Sequence, residues 1–288
     1  ILGSTPGLLE LEVLAGKRTY TLGIEGISER QRAFMAKRLT EEQIRGLAER
    51  LLAARIREVK LFYLLSGYET EEDFREFTEF LGWLHAKRDG CGSGVRLIFS
   101  FNRLMRMPFT PLQFDRLLLE EAFWQPLVRR AQDCCQANGF EFRLASTWAE
   151  YAVAQVLCMG GSWLHEPLRL LAESGLFYDR RLEPRAWRLL ARWLKEHPEL
   201  KERLIAEKPF DFPFALGFVR TPVDRAVLWR RYLAAKEALR GVPAPAPVPA
   251  LRLSPDIPAA LEETMRAKHR AKPFYLFVHV PRSAAGAS

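Results

Sequence analysis

Val59-Lys60-Leu61-Phe62-Tyr63-Leu64-Leu65 is the stretch that most narrows what this chain can fold into. It is too short for an independent helix and nearly continuous in apolar character. Such a run between helix signals fits a strand buried on both faces, as in a parallel sheet. Parallel strands need crossover connections, and the flanks supply them. Upstream, Thr40 and Gln43 form a capping box, Glu41 and Glu42 sit in the first turn, and Ile44, Leu47, Ala48, Leu51 and Leu52 make one apolar stripe. Downstream, Ser66 to Glu69 turns the chain, and Thr70 precedes a helix carrying Phe74, Phe77, Phe80, Leu81 and Leu84.

The cadence extends in both directions. Tyr20 to Ile24 reads as a short strand, Val95 to Phe101 as another, and Phe140 to Leu144 as a fourth. Thr110-Pro111 is a helix start, and the pattern predicts helix over 114–136. Strand, loop, helix and strand in this order predict an α/β fold with a parallel sheet or barrel, whose ligands bind at the C-terminal strand ends. Glu25, Ser66 to Glu69 and Asn102 to Arg106 stand at those ends. After residue 145 the pattern turns helical, over Thr147 to Met159, Leu164 to Glu173, Pro184 to Leu204 and Val223 to Leu239. The stretch 242–250, VPAPAPVPA, reads as a stiff linker, followed by a strand-like run at Phe274 to Val280.

Composition removes several functions. No stretch approaches the ~20 consecutive apolar residues of a membrane span, so a cytoplasmic protein without membrane partners is expected. The four cysteines, Cys91, Cys134, Cys135 and Cys158, show no metal-ligand spacing and read as reduced thiols. The five histidines are scattered and read as core or surface residues. There is no P-loop, GxGxxG or nucleophile-elbow motif. A net charge of +8, from 43 basic and 35 acidic residues, is compatible with RNA or an acidic partner, and equally with a solvated arginine-rich surface.

Three strand ends together resemble the second half of a radical S-adenosylmethionine (radical SAM) enzyme, of the kind that carries a cobalamin-binding domain ahead of its barrel. TLGIEGISERQRAFMAKRLTEEQ, residues 21–43, is similar to the family's fourth strand, with Glu25, Arg32, Lys37, Thr40, Glu41 and Glu42 at matching places. VKLFYLLSGYETEEDF is similar to the fifth strand and its acidic helix start, and LMRMPFTPLQF to the Pro-x-Pro-x-Thr-Pro element after the sixth. LCMGGSWLHEPLRLLAESGLFYD resembles a segment that follows the barrel, with Met159-Gly160-Gly161 in place of its Arg-Gly-Asp.

The resemblance implies the C-terminal half of a partial (β/α) TIM-like barrel over 1–145, a helical extension over 146–241, the linker at 242–250 and a C-terminal segment at 251–288. It implies an enzyme that cleaves SAM reductively or transfers a radical or methyl group to an unknown substrate, RNA or protein among the candidates. Glu25 would face the SAM ribose, and Lys37, with Arg32 as a second candidate, the methionine carboxylate. Leu65, Ser66, Gly67 and Asn102 would line the adenine. A [4Fe-4S] cluster and a cobalamin would depend on ligands outside this chain. The sequence starts at Ile1 rather than methionine, so the expectation is either a fragment, whose partner is a preceding part of the same protein and which is inactive alone, or a relic that no longer cleaves SAM.

Competing readings give these residues simpler roles. Glu25 would cap a helix near Ser28, Lys37 and Arg32 would be solvated, and Glu69 and Glu71 to Asp73 would be first-turn charges. The alternative function is a non-catalytic basic module for RNA or an acidic partner. A third is a barrel using Glu25 and Glu69 as acid and base.

Overall fold

A strand pattern in sequential order organises the chain. In the computed structural model, which describes residues 12–13, 16–54, 56–177, 182–219, 221 and 223–241, β1 (Thr19–Glu25), β2 (Glu58–Leu65), β3 (Arg96–Arg103) and β4 (Glu141–Leu144) form one sheet. The order is β1-β2-β3-β4 and every pairing is parallel, so the fold is α/β with no topological switch point. The described residues fall within one compact unit, Ile1–Ala244. The proline-rich stretch at 242–250 and the run Phe274 to Val280 lie outside the described residues.

Register explains the core. Leu61 pairs with Leu22 on one side and Phe99 on the other, so Tyr20, Leu22, Ile24, Val59, Leu61, Tyr63, Leu65, Leu97, Phe99 and Phe101 share one face. All are buried, in one cluster with α2 (Glu41–Ala53), α3 (Glu71–Gly90) and α4 (Glu121–Ala137). Tyr63 stacks between Phe99 and Phe101 while Phe77 of α3 meets it edge-on. The Thr40 capping box opens α2, with Gln43 N donating to Thr40 Oγ1 at 3.2 Å and Thr40 N to Gln43 Oε1 at 3.1 Å.

Three expectations need correction. β2 is buried on one face and only half-buried on the other, because Lys60 keeps its ammonium toward water above the Phe62 ring. The strand buried across both faces is β3, from Leu97 to Phe101. The helix expected over 114–136 starts only at Glu121. A 3₁₀ turn at Pro111–Phe114 comes first, then an extended stretch in which Leu117 and Leu119 are buried with period two. The helix expected over 184–204 is two, α7 (Pro184–Glu196) and α8 (Pro198–Ile205), because Pro198 drives His197 out of helical geometry to φ −123, ψ 68.

The remaining helices pack on one another and on the loops of the sheet. α5 (Trp148–Met159) packs on α7, and α9 (Arg225–Ala238) returns to pack on α1 (Glu29–Phe34) and on the 111–114 turn. α6 (His165–Glu173) lies between α5 and α7 in sequence and packs on α7. No described helix is long and apolar enough to cross a membrane.

Gly67, after β2, sits at φ +85 with Leu118 of the extended stretch directly over it; an added Cβ would lie 2.2 Å from Leu118 Cδ1. Gly67→Ala should therefore destabilise the fold by about 2–4 kcal/mol, from left-handed strain plus overpacking. Gly175→Ala, at φ +71 with nothing within 4 Å, should cost only the strain. Urea titration of both variants checks this; equal losses would show that Leu118 moves away freely.

Candidate functional site at the carboxyl ends of the strands

β1 ends irregularly. Its register with β2 steps from Gly23↔Phe62 to Glu25↔Tyr63, a bulge, and Glu25 has φ 74. A side chain seldom adopts that backbone, which costs about 1 kcal/mol or more. The bulge turns the Glu25 carboxylate back over Gly23, where a Cβ would stand 2.7 Å from Oε1. A second left-handed residue, Ala36 at φ 54, turns the chain after α1 and delivers Lys37. Lys37 Nζ lies 3.5 Å from Glu25 Oε1, with the two side chains 40% and 30% exposed. This is a loose, half-exposed pair. The cap of α1 is Ser28, whose Oγ accepts from Gln31 N at 3.1 Å, so Glu25 does not serve there.

Arg32 points inward. It is 2% exposed, and it donates to Leu39 O at 2.8 Å and Gly26 O at 3.4 Å, with Glu41 and Glu76 at 3.5 and 3.6 Å. It ties the β1–α2 connection together and leaves Lys37 as the cation beside Glu25.

The end of β2 is committed to its own surroundings. Leu65 is in the core, and its carbonyl accepts from Leu104 N at 2.8 Å. Ser66 N and Gly67 N donate to the two oxygens of Glu69 at 2.5 and 2.9 Å. Burial raises the Glu69 carboxyl above its ordinary value, although these amides pull the other way. With each oxygen holding a main-chain N–H, Glu69 is a backbone clasp and a poor proton shuttle. Ser66 Oγ donates to Gln31 Oε1 at 2.7 Å and accepts from Tyr68 N at 3.0 Å.

Asp73, at the third position of α3, joins these two loops. Ser28 Oγ donates to it at 2.5 Å and Thr70 N at 2.7 Å, and Arg30 grips it with Nε and Nη2. Burial alone would raise this carboxyl, but hydrogen bonds from Arg30, Ser28 and Thr70 outweigh it and hold it below its usual range. Arg30 also reaches Tyr68 O at 2.8 Å and Leu239 O, past the end of α9, at 2.9 Å.

At the end of β3, Asn102 Oδ1 accepts from Arg103 N at 2.9 Å and from Ser146 Oγ. Arg103 lies between Trp148 and Tyr151, its guanidinium 5.6 and 5.7 Å from their ring centres. Beyond it, Arg106 and Asp115 form an ion pair at 2.9 Å with both side chains at 0% exposure. Tyr68 OH donates to the other Asp115 oxygen at 2.8 Å.

Of the residues expected at the site, the structure pairs Glu25 with Lys37, turns Arg32 into the interior, and occupies the amides of Ser66 and Gly67. Asn102 keeps its carboxamide nitrogen side available. Asp73 was legible in sequence as a first-turn acid through the Thr70-x-x-Asp73 cap, but its grip on Ser28 and Arg30 was not. Nothing local marks Arg106 and Asp115 as partners. Among the described residues no group of three His, Cys, Asp or Glu side chains is arranged to hold a metal ion. Searches against protein-family models, curated proteins and solved structures found no match to this chain.

Because folding lowers the Asp73 pKa, its stabilisation is complete above the unfolded value near pH 4 and is lost as pH falls below it. Asp73→Asn should cost about 2 kcal/mol at pH 7, the scale of charge-assisted hydrogen bonds, and should flatten the loss of stability below about pH 4. Urea midpoints of both proteins at pH 7, 4 and 3 check this; parallel curves would remove Asp73 as the titrating group.

Proposed function

We propose that this chain supplies the SAM-binding wall of a radical SAM enzyme, its four sequential strands forming part of a (β/α) barrel. The observation that carries the reading is the Glu25–Lys37 pair. A carboxylate is held on a left-handed, bulged residue at a carboxyl strand end, opposite a cation that only loosely satisfies it. Strain of this kind persists where surrounding structure fixes a residue for a ligand. In this reading Glu25 accepts hydrogen bonds from the two ribose hydroxyls of SAM, and Lys37 swings to the methionine carboxylate. Asn102 offers its carboxamide N–H to the adenine. The backbone from Leu65 to Gly67 contributes surface rather than amide donors, since Glu69 holds the amides of Ser66 and Gly67. Arg32 acts through the loop that presents Lys37.

The iron–sulfur cluster of such enzymes supplies the electron that cleaves SAM and needs three cysteines. Cys91 is exposed past α3, Cys134 and Cys135 lie on α4, and Cys158 on α5; no metal group assembles from them. These residues do not fit a cluster. The role proposed for this chain stops at binding and orienting SAM.

Calorimetric titration with SAM tests the reading. Glu25→Gln should weaken binding by about 1–3 kcal/mol, the range for a charge-assisted hydrogen bond. Glu25→Gly should lose at least as much affinity while leaving the ligand-free protein as stable as before, or more so by up to about 1 kcal/mol, as left-handed strain is relieved. Unchanged SAM affinity in both variants, or no SAM binding at all, would sink the proposal. Binding of RNA that falls steeply between low and moderate salt would instead favour a basic binding module.

A further inference from the structure

A cavity lies away from Glu25. Its volume is about 340 Å³, and it is enclosed by the loop after β3, the end of α5 and the approach to α9. That volume falls in the ~300–1,000 Å³ range of small-molecule sites. Phe109, Met159, Phe214, Leu216 and Leu228 give it an apolar wall. Phe109 holds its place at φ 61, a conformation fixed by its N–H donating to Gln113 Oε1 at 3.0 Å. Of the lining residues, Phe109, Leu216, Val219 and Val223 are 37%, 40%, 39% and 39% exposed, a largely apolar rim. Isolated exposed apolar residues are ordinary, but a rim of them around an apolar cavity marks an entrance.

One cation stands in that wall. Arg225 opens α9, and its guanidinium lies over the Phe210 and Phe214 rings at 5.7 and 5.3 Å from their centres. One terminal nitrogen donates to Phe212 O, while its Nε is buried with no hydrogen-bond partner. Among the described residues no carboxylate lies within ion-pair distance of it. The neighbouring Asp224 is turned to its own backbone, accepting from Ala226 N at 2.6 Å. A cation that lines an apolar cavity and has no carboxylate partner calls for an anionic acceptor attached to an apolar body.

We propose that this cavity binds an amphipathic carboxylate, its hydrocarbon tail among Phe109, Phe214 and Leu228 and its carboxylate on Arg225. The inference does not rest on SAM binding, which uses Glu25 and Lys37.

Decanoate is the probe, with decan-1-ol as the uncharged match of the same tail, both titrated by calorimetry below their aggregation limits. Wild-type protein should bind both, decanoate more tightly. Arg225→Gln should weaken decanoate about tenfold or more and leave decan-1-ol unchanged, while Arg225→Lys should restore part of the difference. Ala215→Trp, from an exposed loop residue on the cavity wall, should fill the space and abolish binding of both while circular dichroism stays native. Failure of decanoate to bind, equal decanoate affinity in Arg225→Gln, or undiminished binding to Ala215→Trp would each overturn the proposal.

Discussion

Arg106 and Asp115 bear opposite charges with no exposed side-chain surface, and much of the carboxyl edge of the sheet is arranged to make that tolerable. A buried ion left alone costs several kcal/mol, so each must have its hydrogen bonds met. Arg106 spends its guanidinium on Asp115, Leu104 O and Ser66 O, which fixes the loop after β3 against the end of β2. Its own peptide is held on both sides by Gln155 of α5, at 2.7 Å each way. Asp115 takes Tyr68 OH and has Lys236 of α9 at 3.8 Å. Five segments far apart in sequence meet on one pair.

The sheet and its helices were legible because they rest on local rules. The α2 stripe, the Thr40 and Thr147 capping boxes and the strand pattern each follow from spacing within a few residues. The elements misread are those in which a distant contact overrules the local pattern. Residues 115–120 carry apolar side chains that fit a helix, but Asp115 is drawn inward to Arg106, and Leu117 N bonds Ile205 O at 2.9 Å, so the chain stays extended. Arg32 looked like a solvated or ligand-facing cation. Its interior partners, Leu39 O and Gly26 O, exist only once the loop after β1 has closed. Pro198 is the exception, a local break signal that the long apolar and arginine-rich pattern around it obscured.

Most polar groups at the strand ends satisfy one another: Glu69 with the amides of Ser66 and Gly67, Asp73 with Ser28, Arg30 and Thr70, Arg106 with Asp115. These groups build a rigid edge and have little left to offer a ligand. Among the described residues at these ends, Glu25, Lys37 and the nitrogen side of Asn102 keep capacity to spare, and Arg103 holds a buried Nε without a hydrogen-bond partner. That division is what a preorganised site requires, because loosely held supporting groups would let the binding groups drift.

Backbone strain follows the same geography. The described non-glycine residues with positive φ are Glu25, Ala36 and Phe109. Glu25 is the last residue of β1, Ala36 and Phe109 lie in the connections that leave the carboxyl ends of β1 and β3, and none lies at the opposite ends of the strands. Each costs folding free energy that a glycine would spare, and each sets a wall: Glu25 its carboxylate, Ala36 the approach of Lys37, Phe109 the side of the apolar cavity. The fold can carry that cost because Asp73 and the Arg106–Asp115 pair over-determine the loops in which the strained residues sit. Rigidity and strain are therefore two parts of one arrangement, with the buried charges holding the edge in the shape that its strained residues require.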